Sequence, residues 1–221
     1  MMKPESAPRI LKKLSVRLSD IMKHYFAESK TDHHFRVAIF GSARIKRNDP
    51  NYKQIYNLSK MIAAEGIDIV TGGGQGIMEA ANKGHQEGRK GQHIHSYGLN
   101  IRMPKGQMVN KHLDIKREFR RFSKRLDCFM YLSNMVIVAE GGVGTMLEFL
   151  YAWQLVQVEH VNNIPIILLG PMWPDFMKWV KKWQLKSKFI DFKDIGNIFL
   201  ADDIAKAIKI IKKAHKDFDK R

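Results

Sequence analysis

Cysteine is almost absent from this chain, since Cys128 is the only one among 221 residues. A single cysteine excludes an internal disulfide and a cysteine-based zinc site, and it is typical of proteins that work in a reducing compartment. The nine histidines show neither the HExxH pattern nor another spacing typical of metal ligands. We therefore expect no metal site and no disulfide.

Long apolar runs are also missing. No segment approaches the roughly 20 apolar residues that a helix needs to span a bilayer. The N-terminal segment is interrupted by Lys12, Lys13, Arg17 and Asp20, so it lacks the apolar core of a signal peptide. We expect a cytoplasmic protein with no membrane partner.

Acidic residues are few relative to basic ones, with 22 Asp and Glu against 38 Lys and Arg, for a formal charge of +16. This charge favours anionic partners, among them nucleotides, phosphate esters, nucleic acid and anionic membrane surfaces, without choosing between them. Much of it falls on lysine-rich amphipathic patterns at the two ends, where solvated helix faces account for it. We predict a basic helical extension at residues 1–30, a core at 31–200 and a basic C-terminal helix at 201–221.

Apolar runs alternate with helical patterns along the core. This alternation predicts an α/β fold in which a doubly wound, mostly parallel, Rossmann-like sheet is covered by flanking helices. A helix is predicted across residues 116–132, between the third and fourth of the expected strands. The predicted strands are residues 35–40, 67–70, 93–101, 135–140, 165–170 and 197–200.

Three glycine-rich turns, FGSAR, TGGGQG and EGGVGT, each follow a predicted strand and precede a predicted helix. In a parallel sheet these turns emerge at one edge, where bare N–H groups and helix N-termini bind anions. One such turn is a weak signal, but three in register predict a phosphate site. The G-x-G-x-x-G dinucleotide fingerprint is missing after the first strand and the P-loop pattern is absent, so we expect a nucleotide or sugar-phosphate pocket of another kind.

The segment EGGVGTMLE resembles the PGGxGTxxE signature of the LOG (Lonely Guy) family, long labelled "possible lysine decarboxylase". FGSAR, TGGGQGIMEAANKG, GLNIRMP and FRRFSKR stand in the order and approximate spacing of that family, over residues 36–170. The resemblance implies a phosphoribohydrolase that hydrolyses the N-glycosidic bond of AMP or of a cytokinin riboside 5′-monophosphate to free base and ribose 5-phosphate. It also implies no cofactor, and a homodimer or higher homo-oligomer.

The same resemblance implies the site residues. Glu148 is the expected catalytic carboxylate and Arg125 the expected catalytic arginine. From the residues alone, Glu148 is equally well explained as an acid complementing a helix N-terminus, and Arg125 better as part of a solvated basic helix. The residues expected to bind the nucleotide and its phosphate are Gly41, Ser42, Arg44, Gly73, Gly74, Gly76, Met78, Glu79, Asn100, Gly141, Gly142, Gly144 and Thr145.

Two positions depart from the family pattern. Glu140 replaces the signature proline and adds a negative charge near the expected phosphate site, and Leu126 replaces a basic residue after the arginine. Glu140 leaves open a second function, in which the chain binds a nucleotide or phosphorylated cofactor without cleaving it. Nucleic-acid binding ranks last, because the chain shows no helix-turn-helix and no aromatic RNA-binding signature.

Overall fold

One sheet of seven parallel strands organises the computed structural model, which describes residues 34–91, 93–103, 108–161 and 164–220. The extension predicted at residues 1–30 lies outside the described residues, as does Pro104 of the GLNIRMP segment. The strands are β1 (Arg36–Phe40), β2 (Asp68–Thr71), β3 (Ser96–Ile101), β4 (Ile115–Phe119), β5 (Met135–Val138), β6 (Ile166–Leu169) and β7 (Ile198–Ala201).

Six α-helices connect and cover these strands. No helix in the described part of the chain is both long enough and apolar enough to cross a membrane. A π-helical turn (Val180–Leu185) and a 3₁₀ turn (Phe192–Ile195) follow the fifth helix. The helices are α1 (Pro50–Ala64), α2 (Ile77–Gly88), α3 (Phe122–Leu132), α4 (Val143–Gln157), α5 (Met172–Trp179) and α6 (Ile204–Phe218).

The strand order β4-β3-β2-β1-β5-β6-β7 reverses direction at β1. The chain first builds outward from β1 to β4, then returns to place β5 on the other side of β1. This arrangement confirms the predicted doubly wound α/β fold. Ligands of such sheets bind at the carboxyl ends of the strands beside the reversal, which here are β1 and β5.

The helix predicted at residues 116–132 is wrong in its first part, which forms strand β4. Residues Ile115–Phe119 pair in parallel with β3, and helix α3 begins only at Phe122. Along β4, half-buried and exposed residues alternate, which is the period of a strand with one solvated face. Its charged residues suit an edge strand, because charge discourages pairing with another chain. The basic composition of the segment concealed this alternation.

The inner strands β1, β2, β5 and β6 are buried along their whole length. Helices cover both faces of a parallel sheet, which is why these strands are mostly apolar. The buried charges of Arg36 and Asp68, at the starts of β1 and β2, form an ion pair with each other. The C-terminal helix α6 joins the same core through its apolar face, and Ala207, Ile208 and Ile211 pack there. The predicted basic C-terminal helix is therefore packed on the sheet through one face while its lysines face outward.

Helices α1 and α2 approach each other through two glycines one turn apart. A methyl group on Gly84 would lie 2.1 Å from the carbonyl oxygen of Tyr56, and one on Gly88 would lie 2.3 Å from that of Lys60. Only glycine permits this backbone contact. The contact fixes the position of α2, whose N-terminus begins directly after the second glycine turn.

Candidate functional site

The three glycine turns meet at the carboxyl edge of the sheet, beside the strand reversal. The first turn bonds to both of the others: the Ser42 amide donates to the carbonyl oxygen of Glu140 at 3.1 Å, and the Ile77 amide donates to the carbonyl oxygen of Ser42 at 3.0 Å. Backbone hydrogen bonds thus hold the three turns together as one unit.

Gly76 makes the contact between the first and second turns. Its φ of +68° lies in the left-handed region, where residues with a Cβ are strained. A Cβ there would also lie 2.4 Å from the carbonyl oxygen of Ser42 and 2.9 Å from the Cα of Ala43. Both conformation and space therefore require glycine.

Three polar side chains that the sequence did not single out brace the second turn. Thr71 accepts a hydrogen bond from the Gly73 amide at 3.0 Å and donates to Asn82 at 2.9 Å. The side-chain amide of Asn110 lies 2.9 Å from the carbonyl oxygen of Gly74 and 2.9 Å from Asn82. No sequence pattern pointed to Asn110, because it reaches this turn from a loop 36 residues away.

The third turn leads directly into helix α4, with Gly142 as the N-cap. The first amides of a helix have no acceptor within the helix, and the positive end of the helix dipole lies there. A methyl group on Gly142 or Gly144 would meet nothing within 4 Å, so the space beside these amides is open. The Thr145 hydroxyl packs against Gly141 and fixes the start of the helix. This end of α4 is suited to bind an anion.

Arg125 and Glu148 form a buried ion pair next to these turns. Arg125 Nη2 lies 2.6 Å from Glu148 Oε1, and the two side chains are 8% and 13% exposed. Helix α3 supplies the arginine and α4 the glutamate, one turn after Gly144 on the same helix face. A methyl group on Gly72 would lie 3.4 Å from Arg125 Nη1, so the guanidinium also reaches the second turn.

The arginine is the exception on its helix. Arg121 and Lys124 are exposed, whereas Arg125 points inward between the rings of Phe122 and Phe129, each centroid 5.6 Å from its guanidinium carbon. The next residue, Leu126, is buried with 5% exposure, so the position that is basic in the family is part of the packed face of α3 here. Arg125 is therefore not one of the solvated basic residues of this segment.

Burial raises the pKa of Glu148 to about 7, although the charge and hydrogen bond of Arg125 act in the opposite direction. A carboxyl group with such a pKa holds and releases a proton near neutral pH. That property is typical of groups that take part in proton transfer, and ion pairs of purely structural function also show it.

We expect ¹³C NMR of the Glu148 carboxyl carbon to show a titration near pH 7, well above the range of ordinary glutamates. The Arg125→Met variant raises this pKa further, because the carboxylate loses the charge and the hydrogen bond that stabilise it. The resonance is assigned by its loss in Glu148→Gln. A titration midpoint between pH 4 and 5 in the unmodified protein would contradict the burial of this group.

The remaining predicted residues divide between the site and its surroundings. Asn100 lies against Gly73, and its buried Oδ1 has no hydrogen-bond partner among the described residues. Met78 packs its sulfur over Gly72. Glu79 is buried in an ion pair with Arg47 and does not contact the glycine turns through any described bond.

Arg44 is placed at the site by its backbone alone. Its amide donates to the Ser42 hydroxyl at 3.1 Å, which closes the first turn, while the residue is exposed. Across the described ranges, no group of three or more His, Cys, Asp or Glu residues could hold a metal ion.

The contacts of Glu140 explain how a glutamate can replace the proline of the family pattern at this position. Its Oε2 accepts a hydrogen bond from the side-chain amide of Asn51 at 2.8 Å, and its Oε1 accepts one from the Met172 amide at 3.0 Å. The carboxylate thus ties the third turn to α1 and to the N-terminus of α5. Its charge is directed to these partners rather than left free beside the open amides of α4.

Replacing Glu140 by Ala should lower the free energy of unfolding by about 1–3 kcal/mol, because two hydrogen bonds to a carboxylate are lost. Glu140→Gln should cost less, since its side-chain oxygen still accepts one of the two bonds. Urea denaturation of both variants measures the effect. Equal stability of Glu140→Ala and the unmodified protein would show that these bonds do not contribute.

Comparisons with known proteins agree with this geometry. The family model described as "Possible lysine decarboxylase" matches residues 78–211, more than half of the chain. No match was found among curated protein sequences.

Among solved structures, the molybdenum cofactor binding protein of the phototrophic bacterium Rippkaea orientalis is 21% identical over 81% of this chain and 96% of its own, with a TM-score of 0.62. The molybdenum cofactor carrier protein of Chlamydomonas reinhardtii is 24% identical over 82% of this chain and 98% of its own, with a TM-score of 0.61. The structural genomics target TM1055 is 22% identical over 81% and 99%, with a TM-score of 0.63. At these identities the likenesses show a shared fold.

Proposed function

Because the chain belongs to the LOG family, whose model carries the description "possible lysine decarboxylase", we propose that it is a phosphoribohydrolase. Its substrate is a nucleoside 5′-monophosphate, either AMP or a cytokinin riboside 5′-monophosphate. Water adds to the anomeric carbon of the ribose and loses a proton, the C–N bond to the base breaks, and the base takes up a proton. The products are the free base and ribose 5-phosphate. The observation that carries this proposal is the buried Arg125–Glu148 pair beside the open amides of α4.

The 5′-phosphate binds at the start of α4. The free amides beside Gly142 and Gly144 donate to its oxygens, and the helix dipole favours its charge. Open space at both glycines lets the phosphate approach the backbone closely. The other two glycine turns form the wall of the site on the side of the nucleoside. The turn at Ser42 is hydrogen-bonded to the third turn, and the turn at Gly73 and Gly74 is adjacent.

Glu148 lies one helical turn from this phosphate site, where the ribose of a bound nucleotide would be. The transition state of N-glycoside cleavage carries positive charge at the anomeric carbon, which a carboxylate stabilises. The raised pKa also allows Glu148 to accept a proton from the attacking water near neutral pH. Arg125 holds the carboxylate in place and offers its remaining N–H groups to the phosphate or to the departing base.

The assembly proposed for this enzyme is a homodimer or a higher homo-oligomer. Helix α4 exposes three apolar side chains that would be covered in such an assembly. These are Val143, Leu147 and Leu150, with exposures of 88%, 46% and 43%.

A second candidate function is binding of a nucleotide or cofactor without cleavage. Two of the structural neighbours are named as a molybdenum cofactor binding protein and a molybdenum cofactor carrier protein, which supports this alternative. The same anion site at α4 would serve it. Unlike the phosphoribohydrolase, such a binding protein needs no proton transfer at Glu148.

The comparison of AMP with adenosine tests the proposed phosphoribohydrolase. We expect adenine release from AMP and none from adenosine, because adenosine lacks the phosphate that the α4 amides bind. Equal release from both would contradict the phosphate site. Binding of AMP by calorimetry with no adenine released over a long incubation would favour the second function.

A further inference from the structure

Exposed aromatic rings are concentrated in the part of the chain that begins at the end of α5. It is formed by residues 178–193, which we call the aromatic–lysine segment, and it runs from the end of α5 through the π-helical turn to the 3₁₀ turn. Four large rings in it face solvent: Trp179, Trp183, Phe189 and Phe192 are 49%, 54%, 79% and 77% exposed. All four fall between residues 179 and 192, and such a concentration of exposed rings favours an interaction surface, because exposed apolar residues are ordinary only when they are scattered singly.

Lysines are interspersed with these rings along the segment. The segment contains six exposed lysines and one exposed acid, Asp191. Asp191 is engaged in capping the 3₁₀ turn. The lysines are Lys178, Lys181, Lys182, Lys186, Lys188 and Lys193. Lys178 is paired with Asp175 at 2.9 Å, so the exposed surface is apolar and carries five further lysines.

The segment is anchored to the fold by its other face. Met177 and Val180 are buried, and Phe176 packs its ring on Phe149 at a centroid distance of 5.6 Å. These contacts fix the helix and the π-helical turn. The exposed rings and lysines therefore belong to a segment whose first part is packed against the core.

We propose that the aromatic–lysine segment binds the surface of an anionic membrane. Tryptophan and phenylalanine settle at the boundary between lipid headgroups and acyl chains, and lysines beside them are attracted to anionic headgroups. The earlier expectation of no membrane partner rested on the lack of a spanning run. Peripheral binding needs no such run.

Charge disfavours a second copy of this chain as the occupant. A symmetric dimer pairs a surface with itself, so the six lysines of one copy would face the six lysines of the other. The apolar face of α4, which carries no lysine at its exposed positions Val143, Leu147 and Leu150, is the better dimer surface.

Ring geometry disfavours single-stranded nucleic acid. Bases stack on the open faces of aromatic rings. Here the Lys182 ammonium lies 5.0 Å from the centroid of Trp183, and the ring of Phe176 lies 6.2 Å from that of Trp179 at an angle of 31°. The lysine covers one face of Trp183 and Phe176 lies beside Trp179, so two of the four exposed rings are less open to stacked bases. Insertion among lipid headgroups does not require an open ring face.

Co-sedimentation of the full chain with vesicles tests the proposal. Vesicles of phosphatidylcholine alone are compared with vesicles that also contain phosphatidylglycerol. We expect binding to the anionic vesicles only. The Lys181→Glu/Lys182→Glu/Lys186→Glu variant should lose at least about tenfold in vesicle affinity. The matched control Lys209→Glu/Lys213→Glu/Lys216→Glu makes the same charge change on exposed lysines of α6 and should lose much less.

A second variant tests the contribution of the rings to vesicle binding separately from that of the lysines. Phe189→Ser/Phe192→Ser keeps all six lysines, and both side chains are largely exposed, so folding is preserved and vesicle binding should still fall. Equal loss in the α6 control would overturn the proposal, because the charge would then act without a defined surface. So would binding to oligothymidylate in place of vesicles, or a shift from dimer to monomer in Phe189→Ser/Phe192→Ser without vesicle binding by the unmodified protein.

Discussion

Substitution of Glu148 by Gln is expected to slow adenine release from AMP by about 10²–10⁴-fold while AMP binding changes little. Gln has the shape of Glu and still accepts a hydrogen bond from Arg125, so the buried pair keeps its packing. It carries no negative charge to stabilise the ribose cation, and it accepts no proton from water. The loss therefore falls on kcat, which steady-state kinetics separates from KM.

The matched control is Glu159→Gln, which removes an exposed carboxylate just beyond the end of α4. It should release adenine at the unmodified rate. If Glu148→Gln retained full activity, the carboxylate would have no part in the reaction, and its burial beside Arg125 would be structural.

The substitution Gly76→Ala is expected to lower the free energy of unfolding by about 2–6 kcal/mol. The backbone of Gly76, with a φ of +68° and a ψ of −127°, lies in a region used almost only by glycine and costs about 1–3 kcal/mol with any Cβ. The contact of that Cβ with the Ser42 carbonyl at 2.4 Å adds about 1–3 kcal/mol, because a backbone oxygen held by two turns does not move aside easily.

Gly66→Ala separates these two contributions. Gly66 ends α1 with a φ of +74°, yet a methyl group there would meet nothing within 4 Å. Urea denaturation should show a loss of about 1–2 kcal/mol for Gly66→Ala, smaller than the loss for Gly76→Ala because no contact is added there. Equal losses would show that the first and second turns are not rigidly joined at Gly76.

The sheet could be predicted from the sequence because its inner strands are mostly apolar. Burial on both faces leaves an uninterrupted run such as residues 135–138, which is recognisable without any partner strand. Strand β4 is an edge strand with one solvated face, and its charged residues resemble those of the basic helix that follows. Only its pairing with β3 distinguishes the two, and pairing is not visible in a local pattern.

The site was harder to predict from the sequence than the sheet. Glycine turns after strands have a local signal, and all three turns lie at one edge of the sheet. The burial of Arg125 depends on how α3 packs, and its neighbours suggested a solvated face. The support given by Asn110 and the bonds made by Glu140 join residues 36 and 89 positions apart, which local spacing does not reveal.

The central claim is most directly tested by separating the products formed from AMP, GMP, CMP, UMP and isopentenyl-AMP by chromatography. The account predicts free base and ribose 5-phosphate in equal amounts from at least one of them, and none above background with the Glu148→Gln variant. Saturable binding of these nucleotides with no base released from any of them would contradict it, and the chain would then be a binding protein of the LOG fold.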